Sequence, residues 1–181
     1  MSQQEGKPVS ASRCVMTEMV LPNDANGLGN LMGGRLLYWM DVCAAISARR
    51  HADRVCVTAS VDTVEFQSPI RVGEIIEIHG QVNRTFRTSM EVELNVWAQP
   101  VNGERRKANR AYYTFVSVDE KVRPVPVRPI IPETEDEIER YEHAARRREL
   151  RLILAGRLRL EDAAGIRDDL LAATQAPPSE T

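Results

Sequence analysis

The sequence predicts an α+β fold in which an antiparallel sheet wraps around one long apolar helix. One strand-like segment, 13–21, precedes a helical segment, 34–51, and four strand-like segments follow it. A run of strands with a single helix is typical of α+β domains. The helical segment is also too apolar for a surface element, so the sheet must cover it.

The helix is predicted from apolar residues that recur at spacings of three and four, from Leu36 to Ser47. Arg49, Arg50 and His51 end it, and cations are favoured at a helix C-terminus. The strand before it stops at Pro22, where turn residues follow.

Alternation with a period of two predicts the remaining strands, at 55–66, 74–82, 88–98 and 110–118. The clearest case is 88–98, where apolar residues point inward and Glu91, Glu93 and Asn95 point outward. In the first strand, Val15, Thr17 and Met19 share one face. These patterns indicate antiparallel strands with one face on a core.

Three regions follow from this reading: a disordered N-terminus over 1–12, the domain over 13–130, and a charged helical C-terminal extension over 131–181. Four prolines over 122–132 exclude a central strand there. Thr134 and Glu137 form a capping box that starts a helix, and Gly156 is suited to end it. A second short helix is predicted over 161–173.

Bulk composition narrows the function classes. The chain has 181 residues, 43% of them hydrophobic, and a net charge of −2, which argues against a nucleic-acid partner. Three widely spaced cysteines predict neither disulfides nor a metal site, and instead indicate small buried thiols. With no apolar run of about 20 residues, we expect no membrane insertion and a cytoplasmic protein.

The segment from Asn26 to Asp41 carries the candidate chemistry. Its glycine-rich loop leads through Gly33 and Gly34 into the helix, whose first N–H groups stabilise negative charge. Asp41 lies among apolar residues, where an unpaired charge is costly. The segment therefore suggests an anion-stabilising hole and an acid/base group.

Simpler roles remain open for each of these residues. Asp41 also fits a structural carboxylate that is bonded to a strand hydroxyl or an arginine. The pair Gly33–Gly34 also fits close packing of helix and sheet, and Asn26 also fits a turn former. Gly34 and Asp41 are seven residues apart, which is about 10 Å along a helix. One carbonyl cannot touch both, so a shared active site requires Asp41 from a second protomer of a two-fold dimer.

The sequence resembles the acyl-CoA thioesterases of the hotdog fold, both the bacterial short- and medium-chain hydrolases and the cytosolic long-chain hydrolases. The resemblance covers about 13–130. It rests on Asn26, Gly29, Met32-Gly33-Gly34, Met40-Asp41, Ala44-Ala45, Thr58, Val61-Asp62, Phe66, Pro69-Ile70, Val72-Gly73-Glu74, Thr88-Ser89 and the segment from Thr114 to Asp119. The chain departs from the family at Met32, where Phe is common, and at Arg87.

The resemblance implies hydrolysis of acyl-CoA thioesters to free fatty acid and CoA. Asp41 would be the general base or the nucleophile, and the N–H groups of Gly33 or Gly34 would hold the oxyanion. Asn26 would orient the water or the thioester oxygen from the opposite protomer. The residues implied for CoA binding are Thr58, Arg84, Arg87, Thr88 and Ser89, although Arg84 and Arg87 also fit solvated strand-end charges.

No metal and no separate cofactor are expected, since CoA is part of the substrate. A homodimer is the minimum unit that the resemblance implies, and a hexamer built as a trimer of dimers is the expected assembly. Two other functions are considered. A hotdog hydratase usually pairs its carboxylate with a histidine, and no such pair is visible around Asp41. A non-catalytic module that binds or senses acyl-CoA is the alternative.

Overall fold

The computed structural model describes residues 5–62, 64, 66 and 68–167. Two compact units divide the chain, 1–133 and 134–181. The first unit contains the strands and the long helix. The second contains a helix and the segment that follows it.

The first unit is a five-stranded antiparallel sheet with one long helix. Its strands are β2 (Cys14–Met19), β3 (Cys56–Val61), β4 (Ile75–Thr85), β5 (Ser89–Gln99) and β6 (Arg106–Ser117), in the order β2-β4-β5-β6-β3. The helix, α1 (Gly33–Ala52), contacts all five strands. This arrangement confirms the predicted α+β class.

The core lies between α1 and the concave face of the sheet. Met40, Cys43 and Ala44 of α1 are fully buried against it, together with Ile76, Ile78, Val82, Met90, Val92, Leu94 and Val96 of β4 and β5. Gly80 of β4 permits the closest approach, because a Cβ there would lie 2.7 Å from Ser47 Oγ. A helix can therefore pack tightly where the sheet carries no side chain.

The predicted alternation of β5 is correct, but its outer face is not exposed. Glu91 and Glu93 are both buried, at 0% and 1% exposure. Glu93 accepts hydrogen bonds from the side-chain amides of Asn83 at 3.1 Å and Asn95 at 3.2 Å, and Arg110 lies 3.2 Å away. Buried carboxylates persist only with such partners, and period-two patterning alone does not reveal them.

Both edge strands expose apolar residues. In β2, Val15 and Met19 are exposed while Cys14 faces the core. In β3, which pairs with β6 alone, Val57 and Val61 are exposed, since no described part of this chain covers them. An apolar period-two pattern marks a face but does not say whether another part of the same chain covers it.

The prediction of a disordered N-terminus over 1–12 is wrong for residues 7–12. β1 (Lys7–Pro8) pairs in parallel with β7 (Ile130–Ile131), and Val9–Ser12 forms a 3₁₀ turn. Val9 is buried, and the hydroxyl of Ser12 accepts a hydrogen bond from the Val82 N–H at 3.0 Å. The polar composition of 1–12 did not predict these contacts, because their partners lie far along the chain.

The second unit begins with α2 (Glu135–Leu154). The predicted capping box is present, since Thr134 Oγ1 accepts from the Glu137 N–H and the Glu137 carboxylate accepts from the Thr134 N–H. Gly156, with φ of +66°, follows the end of the helix as predicted. Residues 164–167 are helical, and 168–173 of the second predicted helix lie outside the described residues.

Candidate active site

Asp41 lies two turns into α1 and is bonded to β3. Thr58 Oγ1 donates a hydrogen bond of 2.7 Å to Asp41 Oδ1, and the carboxylate is half-buried. No described residue bonds to the second oxygen, Oδ2. The neutral hydroxyl fixes the orientation of the carboxylate without neutralising it, which leaves one carboxylate oxygen available for chemistry.

A β-bulge in β3 turns the side chain of Thr58 toward α1. Thr58 pairs with Phe115 and Ser60 pairs with Thr114, so that Ala59 is the additional residue. Phe115 faces the core, and Thr58 therefore points toward the same side. Bulges commonly redirect side chains near functional sites. No sequence pattern around Ala59 indicated this one.

Tyr113 is a buried neighbour of Asp41 that the sequence analysis did not identify. Its hydroxyl donates a long hydrogen bond of 3.4 Å to the carbonyl of Leu37, which is the residue four positions before Asp41. Burial, with the negative charge of Asp41 adding to it, raises the pKa of Tyr113 to about 12. The phenol therefore remains protonated at neutral pH.

The start of α1 presents two glycines in different surroundings. Met32 precedes them in an extended conformation, and no described carbonyl accepts from the N–H of Gly33 or Gly34. A Cβ on Gly33 would lie 3.2 Å from the ring of Phe66, whereas one on Gly34 would meet nothing within 4 Å. Close packing thus accounts for Gly33 but not for Gly34, and both N–H groups can receive an anion.

Asn26 shapes the loop before the helix. Its Oδ1 accepts hydrogen bonds from the N–H groups of Leu28 at 2.9 Å and Asn30 at 3.2 Å, and Gly29 has φ of +73°. Asn26 is therefore a turn former, as the simpler interpretation held. Its Nδ2 group bonds to no described residue, which leaves an exposed donor beside the helix start.

Asp24 and Arg35 connect this loop to α1, and the sequence analysis missed both. Arg35 Nε donates to Asp24 Oδ1 at 2.7 Å, and the Asp24 carbonyl accepts from the Met32 N–H at 2.9 Å. Asp24 is 3% exposed, and the guanidinium of Arg35 stacks over Trp39 at 5.2 Å. A buried carboxylate with a charged partner holds the loop against the helix start.

A cleft of about 380 Å³ opens beside Gly33. Its lining residues are Leu31, Gly33, Leu36, Phe66, Ser68, Pro69, Ile70 and Ala108, which carry apolar side chains except at Gly33 and Ser68. The size and lining are typical of a site for a small organic ligand. Backbone bonding fixes one side, since the Leu31 N–H donates to the Ile70 carbonyl at 2.7 Å.

The structure does not bring the two halves of the candidate site together within one chain. Asp41 and Gly34 lie on one continuous helix, about 10 Å apart by its rise per residue. The edge strand β3 carries exposed apolar side chains of its own, of which Val57 is 38% and Val61 44% exposed. Open edges and apolar patches mark surfaces that another chain covers.

The residues expected to contact CoA fall into two groups. Thr58 contacts Asp41, whereas Arg84, Arg87, Thr88 and Ser89 lie at the β4–β5 turn. Strand pairing places Thr58 beside Phe115, and Phe115 beside Met90, so the turn begins about 10 Å across the sheet. Arg84 pairs with Glu91 and Ser89 pairs with Val116, on the face of the sheet opposite to Phe115 and Thr58, so the two groups do not form one pocket.

Other titratable groups stand apart from Asp41. His51 is fully buried and bonds to the Arg128 carbonyl at 3.0 Å, and burial lowers its pKa below 6.5. Cys14, Cys43 and Cys56 are free thiols, and burial raises the pKa of Cys56 to about 11. Burial raises the pKa of Cys43 as well, so the thiols of Cys43 and Cys56 remain protonated at neutral pH.

Two negative findings apply to the described part of the chain. Over 5–62, 64, 66 and 68–167, no three His, Cys, Asp or Glu side chains are grouped to hold a metal ion. Within the same residues, no helix has the length and apolar character that crossing a membrane requires.

Known proteins resemble this chain in sequence and structure. The sequence profile of the Thioesterase superfamily matches residues 28–103. The uncharacterized acyl-CoA thioester hydrolase YkhA of Bacillus subtilis is 38% identical over 148 residues, which is 81% of this chain and 86% of the relative. A solved hexameric acyl-CoA thioesterase in its apo form superposes with a TM-score of 0.81 at 42% identity, over 83% of this chain and 97% of the other.

An acyl-CoA hydrolase of Staphylococcus aureus is a further structural neighbour. Its structure with butyryl coenzyme A, coenzyme A and coenzyme A disulfide has a TM-score of 0.77 at 34% identity, over 84% of this chain and 95% of the other. The same hydrolase has been solved with an aspartate, a threonine or an asparagine replaced by alanine.

Longer animal proteins also match. Acyl-coenzyme A thioesterase 11 of Mus musculus is 40% identical over 157 residues, and the chain spans 26% of its length. The cytosolic acyl coenzyme A thioester hydrolase of Rattus norvegicus is 40% identical over 141 residues, and the chain spans 37% of its length.

Proposed function

The chain belongs to the acyl-CoA thioester hydrolases of the thioesterase superfamily, and on that premise we propose that it hydrolyses acyl-CoA thioesters to a free carboxylic acid and CoA. The family assignment confirms the resemblance that the motifs predict. The substrate is supported by the relatives, whose names specify acyl-CoA.

The observation that carries the proposal is the bond between Thr58 and Asp41. It holds a half-buried carboxylate in one orientation and leaves its second oxygen open. In the Staphylococcus aureus hydrolase, the replaced asparagine, aspartate and threonine are separated by 15 and 17 residues, and Asn26, Asp41 and Thr58 have the same intervals. This spacing supports a common role for the three residues.

In the proposed reaction, the Asp41 carboxylate takes a proton from a water molecule whose oxygen attacks the thioester carbonyl carbon. The alternative is direct attack by the carboxylate, which forms an anhydride that water then hydrolyses. In either case the carbonyl oxygen becomes an oxyanion. The C–S bond then breaks, and the CoA thiolate takes up a proton.

The oxyanion hole is assigned to the start of α1 in the partner protomer. The N–H groups of Gly33 and Gly34, with the Nδ2 donor of Asn26, supply hydrogen bonds where charge develops. Asp41 cannot reach the same carbonyl within one chain, because the helix separates it from Gly34 by about 10 Å. Each site therefore combines Asp41 of one protomer with Asn26 and the glycines of its partner.

A homodimer is accordingly the catalytic unit in this proposal. The open edge of β3 and its exposed Val57 and Val61 support a contact there. A hexamer, as a trimer of such dimers, is the proposed full assembly, which is supported by a hexameric structural neighbour. We propose no nucleic-acid partner and no membrane insertion, and the cytosolic name of one relative supports a cytoplasmic location.

CoA itself is part of the substrate, and the reaction needs neither a metal nor a separate cofactor. The proposed contacts for its pantetheine and nucleotide parts are Thr58 beside Asp41 and, at the β4–β5 turn, Arg84, Arg87, Thr88 and Ser89. Guanidinium groups are suited to phosphate oxygens.

Mixing two inactive variants tests the shared site. Asp41→Asn and Asn26→Ala are each expected to lower kcat/KM for acetyl-CoA by about a hundredfold or more, measured by release of the CoA thiol. When both chains are co-expressed and assort randomly, half of the dimers contain one intact site, so activity returns to about a quarter of the wild type. A site formed within one chain predicts no recovery.

Thr58→Val and Thr58→Ser provide the matched comparison. The valine variant loses the hydroxyl at nearly constant volume, and we expect about a tenfold loss of kcat, whereas the serine variant retains the bond and the activity. Tight binding of acyl-CoA with no thiol release by the wild type would instead favour a binding module and reject hydrolysis.

A further inference from the structure

The cleft beside Gly33 has a floor that the strand pairing determines. In β5 and β6, Val96 pairs with Asn109 and Trp97 pairs with Lys107, so Ala108 is an additional residue. This bulge allows Ala108 and Asn109 to be buried in succession, at 2% and 1% exposure, although a regular strand alternates. The side chain of Ala108 consequently lines the cleft.

The small size of Ala108 leaves the floor open. Leu36 and Ile70, at 3% and 5% exposure, form the larger walls, and Phe66 packs against Gly33 at the mouth. Among the described residues that line the cleft, Ser68 carries a hydroxyl and none carries a charge, so an uncharged ligand is favoured there over a charged one.

A partly buried ion pair between Arg106 and Glu74 holds one wall in place. Arg106 donates to both carboxylate oxygens of Glu74, at 3.1 and 2.8 Å, and to the Pro69 carbonyl at 2.8 Å. Arg106 is two residues before Ala108 on the same strand, so the wall and the floor are fixed to each other. A cleft with fixed walls discriminates between ligands by size, since it cannot expand around a longer one.

We propose that this cleft receives the acyl chain of the substrate and that Ala108 determines the longest chain that is accepted. The inference rests on the proposed hydrolysis of acyl-CoA. Gly33 belongs both to the cleft and to the helix start that is assigned to the oxyanion. A thioester held at that N–H group directs its uncharged, apolar acyl group into the cleft, toward Ala108.

A substitution series at Ala108 tests this assignment, with glycine, valine and leucine in its place. The measurement is kcat/KM for straight-chain acyl-CoA esters from two to eighteen carbons. We expect Ala108→Leu to lower kcat/KM for the longest accepted chains about 10- to 200-fold, while acetyl-CoA changes less than about threefold. Ala108→Val should give a smaller shift, and Ala108→Gly a shift toward longer chains.

Lys107→Leu is the matched control. It introduces the same side chain at the neighbouring residue, which is exposed and does not line the cleft, so the chain-length profile should be unchanged. Equal loss of activity at every chain length in the Ala108 series, or a profile that does not move, would overturn the inference. If Ala108→Leu fails to fold, the valine and glycine variants decide the outcome.

The same series separates this inference from the proposed function. Wild-type protein that releases no thiol from any acyl-CoA rejects the hydrolase assignment. Wild-type protein that hydrolyses acetyl-CoA, together with an unchanged profile in the Ala108 series, rejects only the role of Ala108.

Discussion

The ion pair between Glu74 and Arg106 should contribute more to stability than the other arginine pairs on the sheet. Arg106 makes two hydrogen bonds to the carboxylate and one to the Pro69 carbonyl, and Glu74 is 8% exposed. Glu74 also accepts from the Arg71 N–H at 3.2 Å. Removing Arg106 would leave a buried carboxylate with one backbone donor.

The structure sets the expected size of the effect. Breaking a fully buried pair costs about 3–5 kcal/mol, because one charge remains without its partner. The Arg106 side chain is 34% exposed, so water screens part of this interaction. We therefore expect Arg106→Ala to lower the free energy of unfolding by about 2–3 kcal/mol. Arg106→Lys should give an intermediate loss, since an ammonium cannot form the bidentate pair.

Urea unfolding followed by circular dichroism measures the loss, and Arg105→Ala is the matched control. Arg105 is the adjacent residue, and its pair with Glu77 has exposures of 41% and 36%, for which we expect less than about 1 kcal/mol. A double-mutant cycle with Glu74→Gln and Arg106→Ala isolates the pair. A coupling energy below about 0.5 kcal/mol would refute the reasoning.

Three further outcomes are expected. Gly80→Ala should destabilise by about 1–3 kcal/mol in thermal unfolding, because its Cβ would lie 2.7 Å from Ser47 Oγ; an unchanged melting temperature would contradict this. Burial lowers the pKa of His51 below 6.5, so the unfolded state binds the proton more readily and stability should fall as pH drops below about 6.5. His51→Phe should flatten that dependence in urea titrations at pH 5.5 and 7.5, and an equal slope would assign it to other groups. Thr134→Ala removes the capping oxygen of α2 and should cost that helix about 1 kcal/mol, measured as lost ellipticity on mild heating, whereas Thr134→Ser should retain it.

Local chemistry explains which features were predictable from sequence. The spacing of apolar residues specified α1, and alternation specified β4, β5 and β6, because each pattern follows from the period of one backbone conformation. The capping box at Thr134 and the turn glycine at Gly73, with φ of +87°, are equally local. Helix geometry alone also separated Gly34 from Asp41.

Long-range pairing explains what was missed. The burial of Glu93 depends on amides from two strands, and the order of 7–12 depends on pairing with residues more than 120 positions later. Two bulges, at Ala59 and Ala108, each result from a register that neither strand specifies alone. Alanine is a common residue with no functional signature, so the bulge at Ala108 can be recognised only from the pairing of β5 with β6.

The sequence by itself determined the long helix, the central strands, the family and the segment from Asn26 to Asp41, because these depend on residue types at short spacings. Tertiary structure decided that Thr58 meets Asp41 at 2.7 Å, that Asp24 and Arg35 fasten the loop, and that a cleft opens beside Gly33. Each of these features forms only when a strand, α1 and a loop come into contact in the folded chain. The relevant contacts join residues far apart in the chain, and their partners are selected by packing and register and not by local propensity.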